Sequence, residues 1–284
     1  MKIGFIGTGV MGQSMARHLG ERLFIYNRTK EKAQSLLAND AIWCNSPQEV
    51  VEKADIIFTM LGYPQDVENV YLGATGLITN GRPGQILVDC TTSSPDLAVK
   101  LFEAGHVKDI HVLDAPVSGG DIGAQNAMLS IMVGGREEVF NQVKPLFERM
   151  GTSIAYFGDA GSGQHTKMAN QIAIASNMIG VAESLYYAQS AGLDVERVLA
   201  TITKGAAGSW SLSNLAPRML TDDYQPGFYT HHFLKDMKIA LDESQKMNIE
   251  LPGLSLAYEI YESLSEELKN TTGTQVIYQI YNNH

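Results

Sequence analysis

The chain has 284 residues, 44% apolar and 18% charged, which fits one large or two ordinary folded domains of a soluble protein. Its formal net charge of −10 argues against nucleic acid or an anionic membrane as a general partner. Cys44 and Cys90 are the only cysteines, with no CxxC pair or Cys/His cluster, which speaks against a disulfide framework or a metal site and fits a reducing cytoplasm.

Short β-rich runs alternate with helical segments from the N-terminus onward. "KIGFIG" reads as a buried strand and "GQSMARHLG" as the helix after it. "RLFIYN" is a second strand, and "TKEKAQSLLAN" a second helix with Thr29 as its expected cap. "ADIIFTML", "QILVDC", "IHVLDAPVS" and "LSIMVGG" supply a third to a sixth strand, with "PQEVVEKA", "PDLAVKLFEAG" and "REEVFNQVKPLFERMG" as helices among them. Such alternation predicts an α/β Rossmann-type domain with a mostly parallel sheet. Beyond about residue 160 the strand signal fades. One long helix is predicted from Gln164 to about Ala191, then only further helices: "DVERVLATIT", "SWSLSNLAPRML", "HHFLKDMKIALDESQKM" and "SLAYEIYESLSEEL". The expected organisation is a dinucleotide-binding domain over 1–162 and an all-α substrate and oligomerisation domain over 163–284. No apolar run approaches the roughly 18 residues of a membrane span, and glycines break the N-terminus too early for a signal-peptide core.

"FIGTGVMG" sets Gly7, Gly9 and Gly12 as GxGxxG between a strand and a helix, the context in which that spacing means dinucleotide binding. Gly7 permits the turn, Gly9 lets the backbone approach a pyrophosphate, and Gly12 lets the helix pack on the strand. Thr8, Val10 and Met11 belong to the same cradle, whose helix start offers N–H groups to phosphates. Where NAD-selective sites end the second strand with a carboxylate, this chain has Asn27, Arg28 and Thr29. Arg28 suits a 2′-phosphate and Thr29 can donate to it, so NADP is the expected cofactor, with NAD possible. Leu61, closing the third strand, is assigned to the same cofactor edge. After "IHVL" comes "DAPVSGGDIGAQ", where Ser118, Gly119 and Gly120 can turn N–H groups and a hydroxyl toward a small carboxylate. "DCTTSSP" ends another strand, and its Thr91, Thr92 and Ser93 serve either the nicotinamide and substrate or a helix cap. In "GSGQHTKMANQ" the i, i+3 spacing sets Lys167 and Asn170 on one helix face. Lysine with asparagine suits a hydroxyl/carbonyl substrate, although spacing alone leaves a surface lysine equally open.

At these residues the chain resembles the β-hydroxyacid dehydrogenase family. Four signatures match in order: "FIGTGVMGQSMA", "DAPVSGGDIGA", "GSGQHTKMANQ" and "KDMKIALDES". The resemblance implies Lys167 as catalytic acid/base, Asn170 as substrate ligand, and carboxylate binding by Ser118, Gly119 and Gly120. It implies Thr92 and Lys235 near the cofactor, Asp236 holding Lys235 or a helix end, and a homodimer or homotetramer. Decarboxylating 6-phosphogluconate dehydrogenases carry a histidine three residues before the lysine, where this chain has Gln164.

Trp210, in "GAAGSWSLSNLAPRML", reads as a substrate-pocket wall or a core tryptophan, with Ser209, Ser211 or Asn214 as added polar contacts. Arg218 is expected on a helix surface, and His231 and His232 on a pocket rim or in a structural role. The function expected is hydride transfer between NADP(H) and a small 3-hydroxy acid or its semialdehyde. The alternatives are a related reductase of succinic- or glyoxylic-type semialdehydes, or a cofactor-binding regulator without turnover.

Overall fold

The computed structural model describes residues 1–20 and 22–282. Strand β1 (Ile3–Ile6) has parallel partners on both sides, so it is apolar throughout rather than alternating. The remaining strands are β2 (Phe24–Tyr26), β3 (Ile42–Trp43), β4 (Ile56–Thr59), β5 (Ile86–Asp89), β6 (His111–Asp114), β7 (Val117–Ser118), β8 (Leu129–Val133) and β9 (Gly151–Tyr156). Among the described residues they make two sheets. One is six-stranded and parallel in the order β3-β2-β1-β4-β5-β6, and the other is β7-β8-β9. The first order reverses between β1 and β4, the switch point at which such sheets bind ligands. Register explains the packing: Phe5, Phe58, Val88 and Leu113 lie in one row across four strands, inside the apolar cluster on one face. Ile57, Leu87 and Val112 form the next row, inside the cluster on the other.

The helices follow as α1 (Val10–Leu19), α2 (Gln34–Leu37), α3 (Pro47–Lys53), α4 (Pro64–Leu72), α5 (Leu77–Asn80), α6 (Pro95–His106), α7 (Gly120–Gln125), α8 (Glu137–Phe147), α9 (Ser162–Ser190), α10 (Val195–Ile202), α11 (Trp210–Asn214), α12 (Ala216–Leu220), α13 (Thr230–Lys246), α14 (Pro252–Glu262), α15 (Glu266–Thr271) and α16 (Tyr278–Asn282). The chain divides into two compact units, Met1–Lys167 and Met168–His284. The second is helical, its core built from α9 residues such as Met178 and Leu185 with Phe233, Met237 and Tyr261. An α/β Rossmann-type domain followed by an all-α domain is therefore the fold. Among the described residues no helix is long and apolar enough to cross a membrane.

Several expectations need correction. "IHVLDAPVS" is not one strand: it breaks after Asp114 because Pro116 lacks an N–H for the ladder, and β6 and β7 join different sheets. "LSIMVGG" forms β8 in the smaller sheet rather than extending the parallel one. The sequence pattern does not show β3, which has only two residues, or β9, whose exposed Thr152, Ser153 and Ala155 leave no apolar run. "TKEKAQSLLAN" is a 3-10 turn, Lys30–Ala33, leading into α2. Thr29 occupies the cap position but, among the described residues, makes no side-chain cap bond. The runs "SWSLSNLAPRML" and "SLAYEIYESLSEEL" each break into two helices.

Candidate active site

The C-terminal edge of the parallel sheet collects the predicted cofactor residues from Gly7 to Thr92, while Lys235 lies on α13 of the helical unit. Gly7 follows β1 with φ +93°, and a Cβ there would meet the Met60 carbonyl oxygen at 2.1 Å. Gly12 is held just as closely, 1.9 Å from the Gly7 oxygen. Gly9 differs: a Cβ built on it meets nothing within 4 Å among the described residues. The fold itself therefore does not demand glycine at position 9, and the space before it is left for a ligand. Gly9 also heads α1 with no side-chain cap and no acidic residue in the first turn, whereas Ser46 and Ser94 cap α3 and α6. Thr8 beside it is 1% exposed, and its Oγ1 has no hydrogen-bond partner among the described residues. Open N–H groups, an orphaned hydroxyl and free space before Gly9 fit the pyrophosphate of a dinucleotide. Val10 is exposed and Met11 half-buried in the first turn.

Asn27 is engaged within the loop: its Oδ1 accepts from the Thr8 N–H at 3.0 Å and its Nδ2 donates to the Thr29 oxygen at 2.8 Å. Arg28 and Thr29 are exposed. The Leu61 N–H donates to Thr91 Oγ1 at 2.9 Å, tying the β4 end to the β5 end. Thr92 lies half-buried between the buried Thr91 and Ser93. Capping of α6 falls to Ser94 and not to these three, since Ser94 Oγ accepts from the Leu97 N–H.

Two buried carboxylates end β5 and β6. Asp89 Oδ1 accepts from Thr59 Oγ1 at 2.8 Å and from the Thr91 N–H at 3.1 Å. Burial pushes its carboxyl up to about 6, against the pull of those hydrogen bonds and with help from the charge of Asp114. Burial raises Asp114 too, opposed by the backbone N–H groups around it. The Gly161 and Gln164 N–H groups donate to its two oxygens, each at 2.9 Å. A strand-end carboxylate thus caps α9 from outside the helix. Gln164, fully buried, completes the join: its Nε2 donates to the Thr91 oxygen at 2.8 Å and its Oε1 accepts from the Ser93 N–H at 2.9 Å. The first turn of α9 is therefore fastened to the ends of both β5 and β6. Lys167 sits one turn further on, only 6% exposed, on the stripe that runs from Gln164 through Met168 to Gln171. Burial removes the surface-lysine reading.

Four residues past Asp114 come Ser118, half-buried in β7, and Gly119, whose φ of +133° turns the chain into α7 at Gly120. In the helical unit, Asn170 Nδ2 donates to Gln171 Oε1 at 2.8 Å, and Gln171 Nε2 donates to Asp236 Oδ2 at 2.7 Å. Lys235 Nζ lies 3.0 Å from Asp236 Oδ1. A carboxylate only accepts, so Asp236 fixes which way both amides face. One chain of polar groups, buried at Gln171 and Asp236, thus links Asn170 to Lys235. Trp210 is 61% exposed, which excludes a core role; Ser209 caps α11 and Asn214 bonds back to the Trp210 oxygen. Arg218 is occupied by a two-point pair with Asp223. The rings of His231 and His232 lie 4.2 Å apart, and burial lowers His232 to about 4, so it is neutral near pH 7.

The positioning residues Asp89, Asp114, Gln164 and Gln171 lie outside the set of site residues that the sequence predicts. The available signal was a carboxylate closing an apolar strand, in "LVDC" and "VLDA", where a buried charge requires donors from elsewhere.

A model described as the NAD binding domain of 6-phosphogluconate dehydrogenase matches residues 2–158. One described as the NAD-binding of NADP-dependent 3-hydroxyisobutyrate dehydrogenase matches residues 161–281. The uncharacterized oxidoreductase YkwC of Bacillus subtilis (strain 168) is 57% identical over 282 residues, 98% of each chain. The probable 3-hydroxyisobutyrate dehydrogenase-like 1, mitochondrial, of Arabidopsis thaliana is 47% identical, over 97% of this chain and 84% of its own. Mycobacterium tuberculosis 3-hydroxyisobutyrate dehydrogenase, solved with L-serine, has a TM-score of 0.88 at 27% identity and covers 99% of this chain and 98% of its own.

Proposed function

The chain belongs to the β-hydroxyacid dehydrogenase family of NAD(P)-dependent oxidoreductases, and from that premise we propose that it interconverts a small 3-hydroxy acid and its semialdehyde or keto form with NADP(H) preferred. The observation that carries this reading is the burial of Lys167 on a helix whose first turn is fastened to two strand ends of the dinucleotide-binding sheet. When bound, the nicotinamide supplies or receives the hydride at the carbon bearing the substrate oxygen. Lys167 Nζ gives a proton to that oxygen in reduction and takes it back in oxidation. Ser118 Oγ and the N–H groups at Gly119 and Gly120 hold the substrate carboxylate, and Asn170 fixes the reacting oxygen. Lys235, held by Asp236, and Thr92 approach the cofactor, and Trp210 borders the substrate. The 3-hydroxyisobutyrate dehydrogenase names of its relatives favour a three- to five-carbon substrate. A cytoplasmic homodimer or homotetramer is proposed with it, and a monomer mass by light scattering would remove the assembly.

Lys167→Ala tests the core of the proposal. It should lower kcat by about 10²–10⁴-fold while calorimetric cofactor affinity stays within about twofold. A near-normal kcat would remove Lys167 from the chemistry. Assaying C3–C5 semialdehydes and hydroxy acids with both cofactors identifies the substrate. Absence of turnover across that panel would favour the regulator reading. A clear preference for NADH would overturn the cofactor assignment.

A further inference from the structure

Sequence places no carboxylate at the end of β2, which is the basis for expecting NADP. The structure brings one to the same place from another element. Asp66, in the first turn of α4, lies with Oδ1 3.5 Å from Arg28 Nη1. Its other oxygen, Oδ2, would be 3.3 Å from a Cβ on Gly62, so the carboxylate sits over the Leu61–Gly62 segment. That segment adjoins the glycine turn: a Cβ on Gly7 would lie 3.1 Å from Leu61 Cδ2. Asp66 and Arg28 therefore meet beside the β1/β4 switch point. Arg28 is 87% exposed and Asp66 33% exposed along their side chains, so the guanidinium is held from one side and open on the other. The nearby Lys30 is directed elsewhere, with Nζ 5.2 Å from the Trp43 ring centroid.

We infer that Asp66 is a specificity-determining residue whose carboxylate competes with the ribose 2′-phosphate for the Arg28 guanidinium and so tempers the preference for NADP(H). This rests on the reading of Arg28 as the 2′-phosphate ligand. A dianionic phosphate drawn to Arg28 meets a like charge already on that group and must share or displace it. NAD(H) has no phosphate there and does not enter the competition. An exposed pair of this kind is weak, so the competition shifts affinity by about threefold to fivefold rather than by orders of magnitude. The effect weakens as salt screens the charges.

Calorimetric titration of NADP⁺ and NAD⁺ into the wild type, Asp66→Asn, Arg28→Ala and the double variant tests it without reference to turnover. Asp66→Asn should tighten NADP⁺ about threefold to fivefold at low salt and leave NAD⁺ within about twofold. In the Arg28→Ala background most of that gain should vanish. If Arg28→Ala loosens NADP⁺ while Asp66→Asn changes neither cofactor, the inference fails and the Arg28 reading stands. If neither variant changes NADP⁺ binding, both fail. If the wild type binds NAD⁺ more tightly yet Asp66→Asn tightens NADP⁺ alone, the inference stands and the NADP preference falls. Equal tightening of both cofactors would reduce Asp66 to a general charge effect and overturn the competition.

Discussion

Among the motif glycines, a single Cβ separates two jobs that the GxGxxG spacing presents as one. At Gly7 the fold itself forbids a side chain, through a positive φ and the Met60 oxygen 2.1 Å from where Cβ would be. At Gly9 nothing among the described residues lies within 4 Å of that position, and φ is −69°, which any residue adopts. Gly9→Ala should therefore leave stability within about 1 kcal/mol, because a poorer helix cap is offset by a less free unfolded chain. Cofactor affinity should nevertheless fall tenfold or more, since the methyl takes the place where a pyrophosphate meets the backbone. Gly7→Ala should be destabilised in thermal melts with or without cofactor. A Gly9→Ala protein that binds cofactor normally would refute the ligand role of that space. Lys167 makes the complementary point. Its identity and helix face were legible from spacing and the absence of charge around it. Its burial was not, because burial depends on segments far away in the chain.

Helix α9 shows the same divide between local and distant information. Its length follows from an uncharged, proline-free stretch, but its start cannot be read locally. The cap is Asp114, 47 residues before Gly161, and the side-chain anchor Gln164 bonds to residues more than 70 positions away. The strands divide similarly. β1, β4, β5 and β6 announce themselves as apolar runs because they are buried on both faces, and β2 does so with one face only half-buried. β3 has too few residues and β9 too many polar ones to give a period, and both are fixed by a partner strand instead. Asp114→Ala strips α9 of two charge-assisted cap bonds and leaves N–H groups buried without an acceptor. It should cost about 2 kcal/mol in denaturant unfolding. Turnover should fall more than cofactor affinity, because the loosened helix carries Lys167 while the glycine turn belongs to β1. Asp114→Asn, which keeps one acceptor oxygen, should recover part of both losses. Unchanged kcat in a destabilised Asp114→Ala protein would confine Asp114 to a structural role.

For the molecule as a whole, the net charge of −10 says nothing about how stability responds to acid, because the response depends on where particular carboxylates sit. Half-buried Glu49, Asp55 and Asp223 are held below the usual carboxylate range. Glu49 and Asp223 are lowered chiefly by their hydrogen bonds to Lys53 and Arg218, and Asp55 by the Lys2 N–H. Each contributes stability above its ordinary value that is lost as pH falls. Asp89 works in the opposite direction. Its value rises from 3.8 to about 6 on folding, so between those limits the native state binds more protons than the unfolded chain. Its contribution is fully present below about pH 4 and is lost as pH rises through about 6, amounting to on the order of 3 kcal/mol for a group this buried. Asparagine at position 89 keeps an acceptor oxygen for Thr59 and Thr91 and removes the titration. Asp89→Asn should therefore gain relative to the parent between pH 4.5 and 7.5 by about 2 kcal/mol. Urea unfolding should be followed through Trp43, which lies in the unit containing Asp89, in a Trp210→Phe background that silences the other unit. Restricting the signal to one unit matters because two units need not unfold in one step. Parallel pH profiles for Asp89→Asn and its parent would mean that Asp89 ionises in the native state as readily as in the unfolded chain, and Asp89 would then place no alkaline-side limit on the fold.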